Sequence, residues 1–401
     1  MLFSLEVLEA KYGDCLLLHF GDPNDPKSIL IDGGPPGVYS KTLKPRLMAI
    51  KAKLAGDEPL PLAMVMISHA DEDHIQGIID LTDSMTDKLS EKEQQDFIID
   101  NFWFNSFDDI IGNQQIPIIK DLKTSAHAAD ISSLQIPQFD NAPEHIVAVI
   151  ASTGQGRHIR DNVAKLNLSV NAPFQNLKPG NTKLVRGDIK TKNLHIGDLE
   201  IIVVHPTAQR LQELQTQWDK DLKKAAKAKS KEESKKIIVS SLINNDKSPF
   251  NLSSIVCLVK FGDKKMLLTG DGRSDDIYAG LKLKGLLDKD GKIHVDILKM
   301  PHHGSKADMT PEFLMHVTAD HYVVSASGKF NNPDQETLDM MDQAVKKGTL
   351  HLTNHDGELG LKKKMDDFIE KLSSNGNALQ VAFRNDADLS FIINLEDKVN
   401  F

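Results

Sequence analysis

Cysteine is scarce. Cys15 and Cys257 are the only two in 401 residues, and each lies inside an apolar run. That setting predicts two buried reduced thiols rather than a disulfide, and two cysteines exclude a zinc site built on thiolates. No apolar stretch approaches the roughly 18 residues of a membrane span, so no membrane role is expected. The opening run Met1–Leu8 carries Glu6 and is followed by Glu9; the basic segment and apolar core of a secretory signal are missing. These absences predict a cytoplasmic protein. An excess of positive charge is lacking too: the formal net charge of −9 argues against a surface that coats nucleic acid generally, while leaving room for a local basic groove.

What is present is a composition of 40% hydrophobic and 26% charged residues, that of a soluble chain able to bury a core. The expected organisation is a single domain over 1–401. Leu16–Phe20 and Ser28–Ile31 read as a hairpin around Pro23, Asn24 and Pro26, leading into Asp32-Gly33-Gly34. Thr42–Leu54 has helical spacing, and Leu62–Ile67 is a continuous apolar run suited to a buried strand. Between 81 and 199 the pattern weakens to one strand candidate, Asn101–Phe104, and reads as an elaborated insertion. Leu199–Val204 is a strand ending at His205-Pro206, and 208–236 reads as a helical segment, lysine-rich from Lys220 and solvated. Strands then return at Ile255–Lys260, Lys265–Leu268, Val295–Lys299 and Tyr322–Ser325, with helices near Asp275–Leu287, Pro311–His316 and Asp334–Lys347. Strands alternating with helices in both halves predict a layered α/β architecture.

Chemistry gathers at Ser68-His69-Ala70-Asp71-Glu72-Asp73-His74, directly after a buried strand. Four candidate ligands, His69, Asp71, Asp73 and His74, fall within six residues, and a turn leaving a strand can fan them toward one or two points. Mixed nitrogen and oxygen donors suit zinc, manganese or iron. Further along, Asp271 stands between Gly270 and Gly272 after an apolar strand, and His302-His303 follow another. Successive residues leaving a strand diverge, so one of this pair is expected to bind metal; His303 is favoured, with His302 facing substrate.

His-x-Asp-x-Asp-His followed by Ile75-Gln76-Gly77 resembles the metallo-β-lactamase superfamily signature, with Asp71 where most members have a second His. That exchange is similar to the hydrolase domain of the ComEC-type competence proteins, without their membrane part. Tyr12-Gly13-Asp14-Cys15, Ile29-Leu30-Ile31-Asp32-Gly33-Gly34, Leu267-Leu268-Thr269-Gly270-Asp271 and Leu298-Lys299-Met300-Pro301-His302-His303-Gly304-Ser305 resemble its other motifs, in order. The resemblance implies a four-layer αββα sandwich holding two divalent ions, zinc or manganese, with an insertion between the first metal motif and the second half. It leaves one ligand position open between His205 and Asn251. Asp32 and Asp14 are candidate orienters of metal-bound imidazoles. Asn331-Asn332-Pro333 resembles a late motif that commonly carries His-Pro, so Asn332 would donate a hydrogen bond to an anionic oxygen without acting as an acid.

The implied reaction is hydrolysis by a metal-activated hydroxide, oriented by Asp73 or Asp271. The expected substrate is a phosphodiester, with nucleic acid and small nucleotides both open. Alternative readings are a lactonase, β-lactamase or thioesterase on the same fold, and a non-catalytic metal-stabilised protein that binds a partner through 208–236.

Overall fold

The computed structural model describes residues 1–106, 109–110, 144–175, 183–189, 194–213, 215–216 and 251–401, the side chains of 144–154 and 251 excepted. The chain opens with the meander β1 (Leu2–Leu8), β2 (Leu16–Asp22) and β3 (Asp25–Ile31). Asn24 closes the β2–β3 turn, its N–H donating to Asp22 Oδ1 at 2.9 Å. Then come α1 (Lys44–Leu54), β4 (Leu60–Leu62), β5 (Met64–Met66) and α2 (Glu72–Glu91), followed by β6 (Phe97–Ile99), β7 (Phe102–Trp103) and α3 (Glu144–Lys165). The second half holds β8 (Leu194–Ile196), β9 (Leu199–His205), β10 (Val256–Phe261), β11 (Lys264–Leu268), α4 (Ser274–Leu283), β12 (Ile293–Lys299) and α5 (Pro311–His316). It ends with β13 (Val317–Val324), α6 (Gln335–Ala344), β14 (Lys347–Leu352), α7 (Leu361–Ser374), β15 (Ala378–Phe383) and β16 (Ser390–Asn394).

Two sheets carry this mixed α/β fold, a six-stranded one ordered β16-β1-β2-β3-β5-β7 and an eight-stranded one running β15 to β8. Strand alternation builds the layers. In β2, Leu17 points to a core shared with Leu47 and Ile50 of α1 and Ile75, Ile78 and Ile79 of α2. Its neighbours Leu16, Leu18 and Phe20 point the other way, into a core shared with Val259, Met266 and Leu268 of the second sheet. On the far side of that second sheet, Leu258 and Leu267 meet Ile277 of α4, Phe313 of α5, Met341 of α6 and Phe368 of α7. The sheets therefore face each other, with helices outside both.

The run expected as one strand over Leu62–Ile67 divides. β4 pairs with β6 while β5 pairs with β3 and β7, so the chain changes sheets around Ala63. The described parts of 81–199 join the body: β7 extends the first sheet, β8 edges the second, and α3 packs on α2, where Asn162 donates to Thr82 Oγ1 at 3.0 Å. Residues 208–213 and 215–216 are helical; the rest of the lysine-rich segment lies outside the described residues. Cys15 and Cys257 are buried free thiols. Among the described residues no helix is long and apolar enough to cross a membrane.

Candidate metal centre

Parallel pairing sets the site. β3 runs parallel to β5, and β11 parallel to β12, so each pair delivers its C-terminal loops to one edge. From the first sheet come Asp32, Ser68 and His69; from the second come Asp271, His302 and His303. Asp71 has extended backbone, φ −74° and ψ 148°, and starts α2, whose first turn carries Asp73 and His74. Gly77 is required there, because a Cβ on it would lie 1.9 Å from the Gly33 carbonyl oxygen. That close approach lets Gly33 N–H donate to His74 O at 2.7 Å, locking the start of α2 against the end of β3.

Asp271 lies between two groups of donors. Its Oδ2 is 3.7 Å from His69 Nε2 and 3.5 Å from His302 Nε2, and His69 Nε2 is 3.5 Å from Asp71 Oδ2. Its Oδ1 is 3.3 Å from His74 Nε2 and 3.5 Å from His303 Nε2. Asp73 Oδ2 completes the second group, 3.8 Å from His74 Nε2 and 3.4 Å from His303 Nε2, and those two nitrogens are 3.3 Å apart. Four donors placed tetrahedrally about a cation at roughly 2.1 Å are separated by about 3.4 Å. The spacing around His74, Asp73, His303 and Asp271 thus suits a cation.

Each imidazole is tied at Nδ1, which leaves Nε2 for the centre. His74 Nδ1 donates to Asp32 Oδ2 at 2.9 Å, and His303 Nδ1 to Ser325 O at 2.9 Å. His69 Nδ1 donates to Ser68 Oγ at 3.0 Å, which in turn donates to Asp32 Oδ2 at 2.6 Å. His302 Nδ1 donates to the Asp308 carboxylate. This is the tautomer a metal-binding histidine needs. His69 Nε2 and Asp271 Oδ1 are buried without a hydrogen-bond partner, a state that costs about 1–3 kcal/mol when nothing satisfies it. Solvent reaches the centre at Asp71 and Asp73, whose side chains are each 21% exposed, and at His302, 28% exposed.

The electrostatics are those of interlocked opposite charges. Burial disfavours ionisation of Asp271, yet His302, His74, His303 and His69 outweigh it and hold the carboxyl well below its ordinary range. Burial also opposes the His74 imidazolium, but Asp271, Asp73 and Asp32 push its pKa well above the usual value. His303 rises to about 9 for the same reason, through Asp271 and Asp14 against the opposing charge of Lys299. His302 is raised against burial by Asp271 and by Asp308. Glu72 is raised by burial and by Asp73, with Lys329 opposing.

Asp14, His74, Asp271 and His303 each bring one donor atom within 4.8 Å of the others, and this buried cluster can hold a metal ion. Asp14 nevertheless approaches the rings from behind, near His303 Nδ1 at 3.5 Å and His74 Nδ1 at 3.9 Å. Its Oδ2 is paired at 2.5 Å with Lys299 Nζ, and both side chains are buried. We therefore place Asp14 behind the donors and Asp73 among them.

Two expectations meet a different geometry. His302 and His303 do not diverge: both have left-handed backbone, φ 45° and 53°, in the turn Pro301–Gly304. A turn of that kind does not alternate side chains as a strand does, so both rings reach Asp271. His205 is not brought to Asp271; its Nδ1 meets Ser254 O at 3.0 Å and its Nε2 stands 4.0 Å from Asp276 Oδ2. Asn251 opens a short helical turn, and its side chain lies outside the described residues. Asn332 is buried ahead of a cis peptide to Pro333, whose Cβ would lie 2.8 Å from a Cβ on Gly304, the residue after His303. Ser68, Asp308 and Ser325 were not legible as partners, because side-chain ties depend on the fold.

No family model matches the chain, and no curated protein matches it. Among solved structures it is similar to a Parabacteroides distasonis protein provisionally assigned as a metal-dependent hydrolase, at 11% identity and TM-score 0.32, over 94% of this chain and 92% of that one. It is also similar to an Enterococcus faecalis protein of unknown function, at 11% identity and TM-score 0.28, over 96% and 88%. Likenesses this distant say nothing about the reaction, so the functional reading rests on the residues.

Proposed function

We propose that the protein is a metal-dependent hydrolase with a binuclear centre of the metallo-β-lactamase type, acting on phosphodiesters. The observation that carries this reading is the division of four imidazole Nε2 atoms between the two oxygens of Asp271. His69, Asp71, His302 and Asp271 would hold one cation; His74, Asp73, His303 and Asp271 the other. Zinc or manganese suits the donors, two imidazoles and two carboxylates in each group. Such ions, when bound, lower the pKa of water and offset charge on the attacked group.

The chain's own part is positioning. Asp32, Ser68, Ser325 and Asp308 fix ring orientation and keep the Nδ1 protons in place. Lys299 offsets the charge of Asp14 behind the donors, which lets a carboxylate sit there without adding net charge to the site. Asp71, Asp73 and His302, the exposed members, define the face on which substrate would arrive. Two dications held by these residues would favour an anionic substrate, which supports a phosphoester over a neutral lactone or thioester. The test is metal content per chain together with turnover of bis-p-nitrophenyl phosphate in zinc and in manganese. Metal-dependent turnover supports the reading; metal-loaded protein that cleaves a lactone, lactam or thioester and spares the diester would overturn the substrate class.

A further inference from the structure

Near this site the loop after β13 presents an exposed aromatic ring. Phe330 is 52% exposed and has left-handed backbone, φ 57°, a conformation disfavoured for a bulky residue. Its ring meets Tyr12 edge to face, with centroids 5.7 Å apart. Lys329 Nζ stands 4.0 Å from the Tyr12 centroid and 5.0 Å from that of Phe330, so the ammonium lies over both rings. The loop is held by its backbone and not by the ring: Asn331 N–H donates to Gly328 O at 2.9 Å, and Lys364 Nζ donates to Asn331 O at 2.6 Å and Pro333 O at 3.0 Å.

Both sides of this aromatic rim are anchored to the metal centre. Tyr12 precedes Gly13, where a Cβ would lie 1.9 Å from Asp73 O, and Asp14 N–H donates to that same oxygen at 3.2 Å. Ser325 Oγ donates to Gly13 O at 2.5 Å, while Ser325 O receives His303 Nδ1. On the other flank Asp334 N–H donates to Gly304 O at 3.0 Å, one residue past His303. These ties bring the backbone on both sides of the rim next to Asp73 and to Gly304, the residue after His303.

We infer that the exposed Phe330 ring, braced edge to face by Tyr12 and flanked by Lys329, is the stacking surface that seats the nucleobase of a nucleotide whose phosphate lies at the metal centre. A strained, exposed aromatic residue on a backbone-anchored loop beside an anion-binding site presents the flat apolar face that bases stack on regardless of sequence. This inference rests on the phosphodiesterase reading and names the substrate class more narrowly.

The test is calorimetric binding of AMP, ribose 5-phosphate and a thymidine trinucleotide, with and without zinc, to the wild-type protein, Phe330→Ala and Phe330→Trp. Circular dichroism would verify that each variant folds. The wild type should bind AMP about ten-fold more tightly than ribose 5-phosphate, Phe330→Ala should erase that preference, and Phe330→Trp should keep it. A trinucleotide that binds more tightly than AMP assigns a strand as the source of the base; equal affinity assigns a free nucleotide. Equal binding of AMP and ribose 5-phosphate by the wild type, or an undiminished preference in Phe330→Ala, overturns the platform. Turnover of bis-p-nitrophenyl phosphate is measured alongside: its absence with an intact base preference removes the hydrolase reading and leaves the platform standing.

Discussion

His302 and His303 are neighbours in sequence, yet their Nε2 atoms face opposite oxygens of Asp271, each at 3.5 Å. Consecutive left-handed residues make this possible. Replacing either residue with Ala should cost up to one metal equivalent and lower turnover by at least ~10²-fold. Mass spectrometry of the native protein and atomic emission would count the ions. A variant at either position that stays fully metallated would remove that ring from the centre.

Asp32 touches no proposed ion, but it holds both His74, at 2.9 Å, and Ser68, at 2.6 Å. Asp32→Ala should weaken metal affinity by roughly 10–100-fold while the folded state persists. Competition against a chelator would measure it. Unchanged affinity would mean that the Asp32 tie is not what orients the ring.

The Asp14–Lys299 pair is buried on both sides. Lys299→Met leaves the Asp14 carboxylate uncompensated and should cost about 3–5 kcal/mol of stability, whereas Asp14→Leu combined with Lys299→Met should recover much of it. Denaturant unfolding of the metal-free proteins would decide. Equal losses in the single and double variants would contradict the coupling.

Away from the centre, Glu6 is buried between His19 Nε2, at 2.9 Å, and Arg46 Nε, at 2.6 Å. Burial alone would raise its pKa; hydrogen bonds from His19 and Arg46 reverse that and lower it from 4.5 to about 2. The folded pKa lies below the unfolded one, so the stabilisation is fully present above about pH 4.5 and is lost as pH falls through 2. It should amount to about 3 kcal/mol. The stability difference between wild type and Glu6→Gln, followed by denaturant midpoint, should therefore shrink as pH drops across that window. A difference independent of pH would rule out the charge as its source.

Much of this was legible in local pattern, and the rest was not for definite reasons. Leu16–Phe20, Leu199–Val204 and Ile255–Lys260 announce strands because both of their faces are apolar cores. The cluster from His69 to His74 announced its chemistry by density alone. α2 begins inside the cluster, and Ile75, Ile78, Ile79, Thr82 and Met85 carry its helical spacing, while the polar first turn, Glu72 and Asp73, has the composition of a loop. β16 pairs with β1 nearly the whole chain away, Ser4 opposite Asn394, and no local pattern carries that. His205 ends a strand as a ligand would, but its partner is a backbone carbonyl. The second imidazole at Asp271 Oδ2 comes instead from His302, through a backbone conformation that residue types alone do not disclose.

The most direct test of the centre is an anomalous difference map from crystals grown with zinc, recorded at the zinc edge. The account predicts two peaks flanking Asp271, about 3.5–4 Å apart, one beside His69 and His302 and the other beside His74 and His303. A map with no peak at Asp271, or with its peak between His205 and Asp276, would contradict it.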